Sequence, residues 1–212
     1  MSKPIVYGPA YSTYTRTILI TLNEKAVEYE LVHVDMMGGA HRTPEHLRRH
    51  PFGKVPTFEH NGFQLYESNA IVHYIDDAFP GERITPADMH RRARDQEIVE
   101  IINSYGYNRI VTKLVLCYFF ADKEKGPDMA AIAAAVPDVE HVLGAIQDAM
   151  LNPDPWLTGR RIGFADIYLA PIMHYLMMFP EGGRILPKLP RLSSWWLAMQ
   201  QRDSVTKTVP QF

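Results

Sequence analysis

Residues 53–75 read GKVPTFEHNGFQLYESNAIVHYI and predict a strand, a tight turn, a second strand and a helix in succession. The Asn-Gly pair at 61–62 is typical of a β-hairpin turn, because both residues readily adopt positive φ. The apolar residues of 68–79 recur at helical spacing, and Pro80-Gly81 ends the helix. This stretch therefore predicts a hairpin that leads directly into a helix.

The residues before this stretch add two strands and two helices. Short apolar or alternating runs predict strands over 3–7 and 27–34. Helical spacing predicts a helix over 15–25, and residues 43–50 form a short polar helix or turn. Residues 1–80 are therefore predicted to have the order β-α-β-α-β-β-α.

Strand patterns stop after Pro80-Gly81, and only helical patterns follow. These patterns cover residues 89–122, 128–150, 165–179 and 192–202. A break is expected at Pro137, inside the second of them. We therefore expect two domains, an α/β domain at residues 1–80 and an all-α domain at residues 88–212.

The composition excludes several classes of protein. The chain has 212 residues, of which 46% are hydrophobic and 22% charged, as in an ordinary globular protein. Its net charge of -2 lacks the basic excess of a nucleic-acid binder. The single cysteine, Cys117, excludes an intramolecular disulfide and C-x-x-C chemistry, and it fits a cytoplasmic protein. The histidines show no convincing metal spacing, so no metal site is expected.

Neither a secretory leader nor a membrane span is expected. The first residues lack a basic segment followed by an apolar one. The most membrane-like window, residues 162–179, contains Asp166, Pro171 and His174, which a spanning helix rarely carries together. We expect this window to form a helix buried in the second domain.

Val55-Pro56 lies immediately before a predicted strand and is open to two interpretations. Proline cannot donate to a sheet ladder, so at the start of a strand it usually marks a special turn. A trans bond, which is the commoner isomer, makes Pro56 an ordinary edge residue. A cis bond turns the Val55 backbone toward a neighbouring cleft, where its N–H and C=O can pair with an extended peptide.

Glu67 and Ser68 stand at the predicted start of the helix over 68–79. In a structural interpretation, Ser68 is the N-cap of that helix. In a functional one, the free N–H groups at the helix start bind a ligand carboxylate, and Glu67 binds the ligand's ammonium. Adjacent sites for a carboxylate and an ammonium describe an α-amino acid.

Ser12 lies between the first strand and the first helix, four residues before Arg16. It is either a helix N-cap, a role that Thr13 can also fill, or a hydroxyl that donates to a group held over the helix start. The residues alone leave both roles open.

These three motifs, in this order and spacing, resemble the cytosolic glutathione S-transferases over nearly the whole chain. The stretch from Ser12-x-x-x-Arg16 to residue 75 looks most like the serine-type phi and theta-like classes. The resemblance implies an α/β thioredoxin-like N-terminal domain and an all-α C-terminal domain. It also implies a cis bond at Pro56.

The resemblance further implies roles for individual residues. Ser12 would be the catalytic residue that stabilises the glutathione thiolate. Val55 would pair through its backbone with the cysteinyl part, and Glu67 and Ser68 would hold the γ-glutamyl group. The full set of glutathione-binding residues is His41, Lys54, Val55, Pro56, Glu67 and Ser68. His41 and Lys54 would face the glycyl carboxylate. Glutathione is then a co-substrate, and no cofactor is expected.

The C-terminal part carries a second resemblance to the family. The stretch WLTG at 156–159, followed by Ala165-Asp166-Ile167, is similar to the signature of its second domain, in which Asp166 would be buried at a helix start. The family usually has Ser or Thr three residues before this Asp, as an N-cap. This chain has Gly163 there, which costs only a few tenths of a kcal/mol as an N-cap.

The implied reaction is nucleophilic substitution by the thiol of glutathione. A free thiol has a pKa near 8.5, so the protein must favour the anion. A hydroxyl donor and a helix N-terminus both do so. The electrophile is expected to be hydrophobic and to bind between the domains. Its candidate contacts are Tyr11, Tyr105, Tyr107 and Lys113.

The sequence is also compatible with two other functions and with two interpretations of Phe52. The same fold can serve as a non-catalytic carrier or assembly module, and the same thiolate can support peroxide reduction or isomerisation. The resemblance implies a homodimer, in which Phe52 anchors in the partner subunit. Alternatively, Phe52 packs within its own domain. Neither nucleic acid nor membrane is expected as a partner.

Overall fold

The computed structural model describes residues 2–151 and 155–210. Contacts divide the chain into two units. The first comprises the chain up to Thr85 together with the chain from Arg202 onward, and the second is Pro86–Gln201. The predicted division into an α/β part and a helical part is therefore recognisable, although it differs at the C-terminal end.

The first unit contains a four-stranded sheet in the order β2-β1-β3-β4. The strands are β1 Ile5–Tyr7, β2 Glu30–Val32, β3 Thr57–His60 and β4 Phe63–Tyr66. β1 pairs with β2 in parallel and with β3 antiparallel, and β3 pairs antiparallel with β4. The turn between β3 and β4 has positive φ at Asn61 and Gly62, which confirms the predicted hairpin.

Three α-helices within the described residues 2–85 accompany this sheet. They are α1 Thr13–Glu24, α2 Pro44–Arg49 and α3 Ser68–Ala78. Apolar side chains of α1 and α3, among them Ile18 and Ile71, are fully buried. Gly8 lets the backbone at the end of β1 approach α1, since a Cβ there would lie 2.4 Å from the Thr15 hydroxyl oxygen. The predicted order β-α-β-α-β-β-α is confirmed.

The C-terminal segment belongs to the first unit, so the predicted extent of the helical domain, 88–212, is wrong at its end. The segment carries α10, Asp203–Thr206. Arg202 donates two hydrogen bonds, of 2.7 and 2.6 Å, to the carboxylate of Glu24 at the end of α1, and Ser204 donates to the same carboxylate. These long-range contacts leave no local pattern in the sequence.

The second unit is helical. α4, Met89–Ile101, continues as a π-helical stretch, Ile102–Val115, and as α5, Leu116–Phe119. The remaining helices are α6 Met129–Ala149, α7 Phe164–Leu176, α8 Pro180–Ile185 and α9 Pro190–Met199. The predicted break at Pro137 is wrong, because α6 continues through it. Pro137 is exposed, while Ile132 and Val139 on either side are buried and hold the helix.

Two buried aspartates hold the start of α7. Asp166 accepts hydrogen bonds from the backbone N–H of Gly163 and Leu157 and from the Trp195 ring, at 2.7 to 2.9 Å. The expectation that Asp166 is buried at a helix start is thus confirmed. Burial raises its pKa to about 7 against the opposing effect of these hydrogen bonds.

Asp95 of α4 does the work of the N-cap side chain that Gly163 lacks. Its carboxylate accepts hydrogen bonds from the N–H groups of Phe164 and Ala165, at 3.2 and 3.1 Å. A Cβ at Gly163 would lie 2.3 Å from this carboxylate. A glycine is therefore required at this position, because a side chain of α4 caps α7. Burial raises the pKa of Asp95 to about 6.

One described helix, α6, is long and apolar enough by composition to cross a membrane, with a mean hydropathy of 1.4 over its most apolar window. One such helix is weak support for a span, because core helices pass the same test. α6 buries one side, including Val139, Leu143 and Ile146, and carries the polar residues Asp138 and Asp148 along its length. Its sequence suits a helix packed on one side of a helical unit.

A buried ion pair joins α1, α3 and the end of the first unit. Lys25 Nζ lies 3.3 Å from Asp76 Oδ1, and both side chains are fully buried. Asp76 also accepts hydrogen bonds from the N–H groups of Ile84 and Thr85, at 2.9 and 3.0 Å. Burial by itself raises the pKa of Asp76, but the hydrogen bonds from Ile84, Thr85 and Lys25 outweigh it and hold this pKa below its ordinary value.

We predict that Asp76→Ala lowers the free energy of unfolding by about 3–5 kcal/mol, since it leaves a buried ammonium and two N–H groups without their partner. Urea denaturation followed by circular dichroism measures this loss. Asp77→Ala is the matched control. Asp77 is the exposed neighbour of Asp76 and pairs with Arg83 at the surface, so its removal should cost roughly 1 kcal/mol or less. Equal losses in the two variants would contradict the prediction.

Candidate functional site

Four chain segments meet at one edge of the sheet. Tyr7, the last residue of β1, lies opposite Val32 at the end of β2 and Thr57 at the start of β3. Thr57 also lies opposite Tyr66, the last residue of β4. The loops that follow β1, β2 and β4 and the turn that precedes β3 therefore converge there. Within these segments lie Ser12, His41, Val55-Pro56 and Glu67-Ser68, the residues predicted to bind glutathione or activate its thiol.

The bond between Val55 and Pro56 is cis, which confirms the isomer that the family resemblance implies. Pro56 is buried and Val55 is half-buried. The preceding carbonyl, that of Lys54, accepts a hydrogen bond of 2.8 Å from His46 Nε2. His46 is 2% exposed and lies on α2, so this helix anchors the turn that presents the Val55 backbone.

Ser12 is the N-cap of α1, and its side-chain oxygen accepts a hydrogen bond from Thr15 N–H at 3.3 Å. Of the two residues predicted to fill this role, Thr13 is instead the first residue of the helix. The capping bond uses a lone pair of the Ser12 hydroxyl and leaves its proton for another acceptor. Capping and hydrogen-bond donation are therefore compatible, and any anion that accepts from Ser12 would also lie at the positive end of α1.

The Tyr11 hydroxyl interacts with other groups than the Ser12 hydroxyl does, although the two residues are neighbours. Burial and the carboxylate of Asp35 raise the pKa of the Tyr11 hydroxyl, and a backbone hydrogen bond from Met36 opposes them. The Tyr11 hydroxyl is thus held by the loop that follows β2. Its partners differ from those of Ser12, as expected for side chains one residue apart in a loop.

The start of α3 differs from that of α1, because no side chain caps it. Ser68 is the first residue of the helix, so the interpretation of Ser68 as the N-cap is wrong. Glu67 occupies the N-cap position with φ 70° and ψ 111°, and its side chain makes no capping bond. Non-glycine residues at positive φ are uncommon and cluster at functional sites. The first N–H groups of α3 have no partner within the helix, which suits a ligand carboxylate.

His41 and Lys54 supply basic groups at the same edge. His41 lies in a short 3₁₀-helix, Ala40–Arg42, and its Nε2 accepts from Arg42 Nε at 3.2 Å. The proton of the neutral ring is therefore on Nδ1, which is buried without a hydrogen-bond partner among the described residues. Gly53 has φ +59°, and because it has no side chain, the His41 carbonyl can approach the backbone next to Lys54. The ammonium of Lys54 is exposed.

Phe52 is 71% exposed, so the interpretation that it packs within its own domain is wrong. Its ring makes edge contacts with the rings of His50 and Tyr66, with centroids 6.2 and 6.5 Å apart. An aromatic side chain this exposed, next to the candidate site, suits contact with another chain.

The three remaining candidate residues lie in the second unit. Tyr105 is 53% exposed on the π-helical stretch, and Tyr107 is half-buried with its pKa raised by burial. Lys113 pairs with Asp138 of α6 at 3.2 Å, with both side chains about half exposed. With Tyr11, these three residues stay the predicted contacts of a second substrate.

Two residues at this edge, His46 and His50, were not predicted to belong to a site. Both are buried on or next to α2. His46 binds the Lys54 carbonyl, and the Lys54 ammonium lowers the pKa of His50. Their spacing of four residues places them on one side of a helix and was the available signal, but the intervening Arg48 and Arg49 hid it. Among the described residues, no three His, Cys, Asp or Glu side chains converge to hold a metal ion.

Known proteins match both units. Residues 3–77 match the family model of the glutathione S-transferase N-terminal domain, and residues 107–203 match that of its C-terminal domain. The chain is 30% identical to the Probable glutathione S-transferase GSTF1 of Oryza sativa subsp. japonica, with 98% of this chain and 95% of the relative covered. It is 31% identical to Glutathione S-transferase F6 of Arabidopsis thaliana, with 96% and 98% covered.

A solved structure shows the same fold. The crystal structure of glutathione transferase F2 from Populus trichocarpa has a TM-score of 0.85 to this chain at 28% identity. The similarity covers 97% of this chain and 96% of that one.

Proposed function

Since this chain belongs to the glutathione S-transferase family and is a glutathione transferase, we propose that Ser12 stabilises the glutathione thiolate and that this thiolate attacks hydrophobic electrophiles. The observation that carries the proposal is the pair of helix starts at one sheet edge. α1 begins at a hydroxyl whose proton is available, and α3 begins without a side-chain cap beside an exposed carboxylate. The first arrangement suits a thiolate and the second suits an α-amino acid.

The γ-glutamyl group of glutathione is an α-amino acid and binds at the start of α3. Its carboxylate accepts from the first N–H groups of α3 and from the Ser68 hydroxyl, and its ammonium pairs with Glu67. The positive φ of Glu67 supports this role, because the strain has no compensating cap in the protein itself.

The rest of glutathione follows the sheet edge. The backbone of Val55, next to the buried Pro56, pairs with the cysteinyl part and sets the thiol near Ser12. The glycyl carboxylate lies between the buried Nδ1–H of His41 and the ammonium of Lys54. No cofactor takes part, since the attacking atom belongs to the co-substrate.

The second substrate is a hydrophobic electrophile, and Tyr11, Tyr105, Tyr107 and Lys113 are its proposed contacts. A carrier function and glutathione-dependent peroxidase or isomerase activity are the competing functions. Turnover of glutathione with aryl halides, hydroperoxides and isothiocyanates separates them. Rapid conjugation of aryl halides supports the proposal, and binding of glutathione without turnover of any substrate would favour a carrier.

We further propose that the protein works as a cytoplasmic homodimer without a nucleic-acid or membrane partner. The exposed ring of Phe52 is the proposed anchor in the partner subunit. Its position three residues before Val55 ties the subunit contact to the turn that binds glutathione.

Ser12→Ala should raise the pKa of the bound thiol and lower turnover at neutral pH by about 10–100-fold. Each pKa unit, about 1.4 kcal/mol, leaves about tenfold less thiolate to react. The loss should shrink as the pH rises, because solvent then deprotonates the thiol unaided. Ultraviolet titration of bound thiolate measures the pKa. Tyr11→Phe is the matched control and should leave it unchanged. A raised pKa in Tyr11→Phe alone would assign activation to the tyrosine.

Glu67→Gln and Ser68→Ala should each weaken glutathione binding by roughly 1–3 kcal/mol, because each removes a contact to a charged group of the ligand. Isothermal titration calorimetry measures the affinity. Glu28→Gln is the control, since Glu28 is an exposed carboxylate that pairs with Lys3. Unchanged affinity in both test variants, with the fold intact, would refute the assignment of the γ-glutamyl site.

Phe52→Ala should weaken dimerisation by about tenfold or more if its ring is buried at the partner. Light scattering of the wild type should give twice the chain mass of 24.2 kDa. Phe120→Ala, which removes another exposed phenylalanine, is the control. A monomeric wild type would refute the dimer, whereas a Phe52→Ala variant with unchanged dimer affinity would refute only the anchor.

A further inference from the structure

His50 is buried beside the proposed glutathione site without a role in it so far. It follows the last turn of α2, and the residue is only 3% exposed. Its backbone is fixed, because its N–H donates to the His46 carbonyl at 2.8 Å and its carbonyl accepts from Gly53 at 2.9 Å. Its Nδ1 is buried with no hydrogen-bond partner among the described residues. A buried ring nitrogen without a partner is costly and calls for an explanation.

The surroundings of the His50 ring link it to three parts of the site. The Tyr66 ring, which precedes Glu67, lies 4.9 Å away between centroids. Three charged or titratable groups shift the pKa of His50. They are Glu67 at the start of α3, His46 on α2 and Lys54 just before Val55.

Burial is the largest influence on the pKa of His50 and lowers it. The carboxylate of Glu67 opposes this effect, whereas His46 and Lys54 add to it. The ring is therefore neutral at pH 7, and it takes up a proton only as the pH falls below the ordinary histidine value of about 6.5.

We propose that His50 is a positioning residue that must be neutral for Glu67 to hold the ammonium of glutathione. When His50 is neutral, Glu67 makes no ion pair among the described residues, and its exposed carboxylate is available to the ligand. When His50 is protonated, its imidazolium attracts the same carboxylate and repels the incoming ammonium. This inference rests on the proposed γ-glutamyl site, and it makes glutathione affinity depend on pH independently of the thiol.

The experiment uses S-methylglutathione, which keeps the γ-glutamyl group but has no thiol to titrate. We expect its affinity for the wild type, measured by calorimetry, to fall by about 3- to 10-fold between pH 7.5 and pH 5, since one adjacent charge is added. In His50→Gln the fall should be less than about twofold. His33→Gln removes an exposed histidine from the same unit and should keep the wild-type dependence.

An equal fall in wild type and His50→Gln would overturn the inference.

A measurement on the wild type covers the case in which His50→Gln does not fold. Binding and protonation are linked reciprocally, so S-methylglutathione should lower the pKa of His50 in an NMR titration of its ring protons. An unchanged or raised pKa would overturn the inference.

The variant Glu67→Gln separates this inference from the proposed function on which it rests. If Glu67→Gln keeps wild-type affinity at pH 7.5, the γ-glutamyl site itself is wrong. If it loses affinity while His50→Gln retains the pH dependence, only the role of His50 is wrong.

Discussion

The double pairing of Thr57 organises the first unit. Thr57 lies opposite Tyr7 on one side and Tyr66 on the other. Because both pairings are antiparallel, the start of β3 is held next to the ends of β1 and β4. A shift of one residue in either register would turn buried side chains toward the opposite face. The register that buries Phe58 therefore also brings Ser12, Val55 and Glu67 to one edge.

The two helices that begin at this edge differ in how their N-termini are capped. α1 has a capping serine, whose one hydroxyl can stabilise the helix and donate to a ligand. α3 has a strained Glu67 in place of a cap. The protein thus stabilises the start of one helix by itself and leaves the start of the other to glutathione in the proposed complex. α2 supports the edge from behind, since its buried His46 binds the Lys54 carbonyl.

The second unit shows how an interaction can survive the loss of the residue that usually makes it. Gly163 has no side chain to cap α7, and the carboxylate of Asp95 from α4 takes that position. The glycine and the aspartate depend on each other, because a Cβ at 163 would collide with the Asp95 carboxylate. The glycine that departs from the family pattern thereby allows the close contact between α4 and the start of α7.

Local patterns determined the strands, the Asn61-Gly62 turn and the order of elements, because turn chemistry and hydrophobic periodicity are properties of neighbouring residues. The resemblance to a family added the cis bond before Pro56, which no local pattern distinguishes from the trans form. Only the tertiary structure decided that α6 passes through Pro137 and that the C-terminal segment returns to Glu24. Each of these depends on contacts between residues far apart in the chain. The same is true of His50, whose burial between α2 and Tyr66 places it near Glu67 and makes its charge matter to the proposed site.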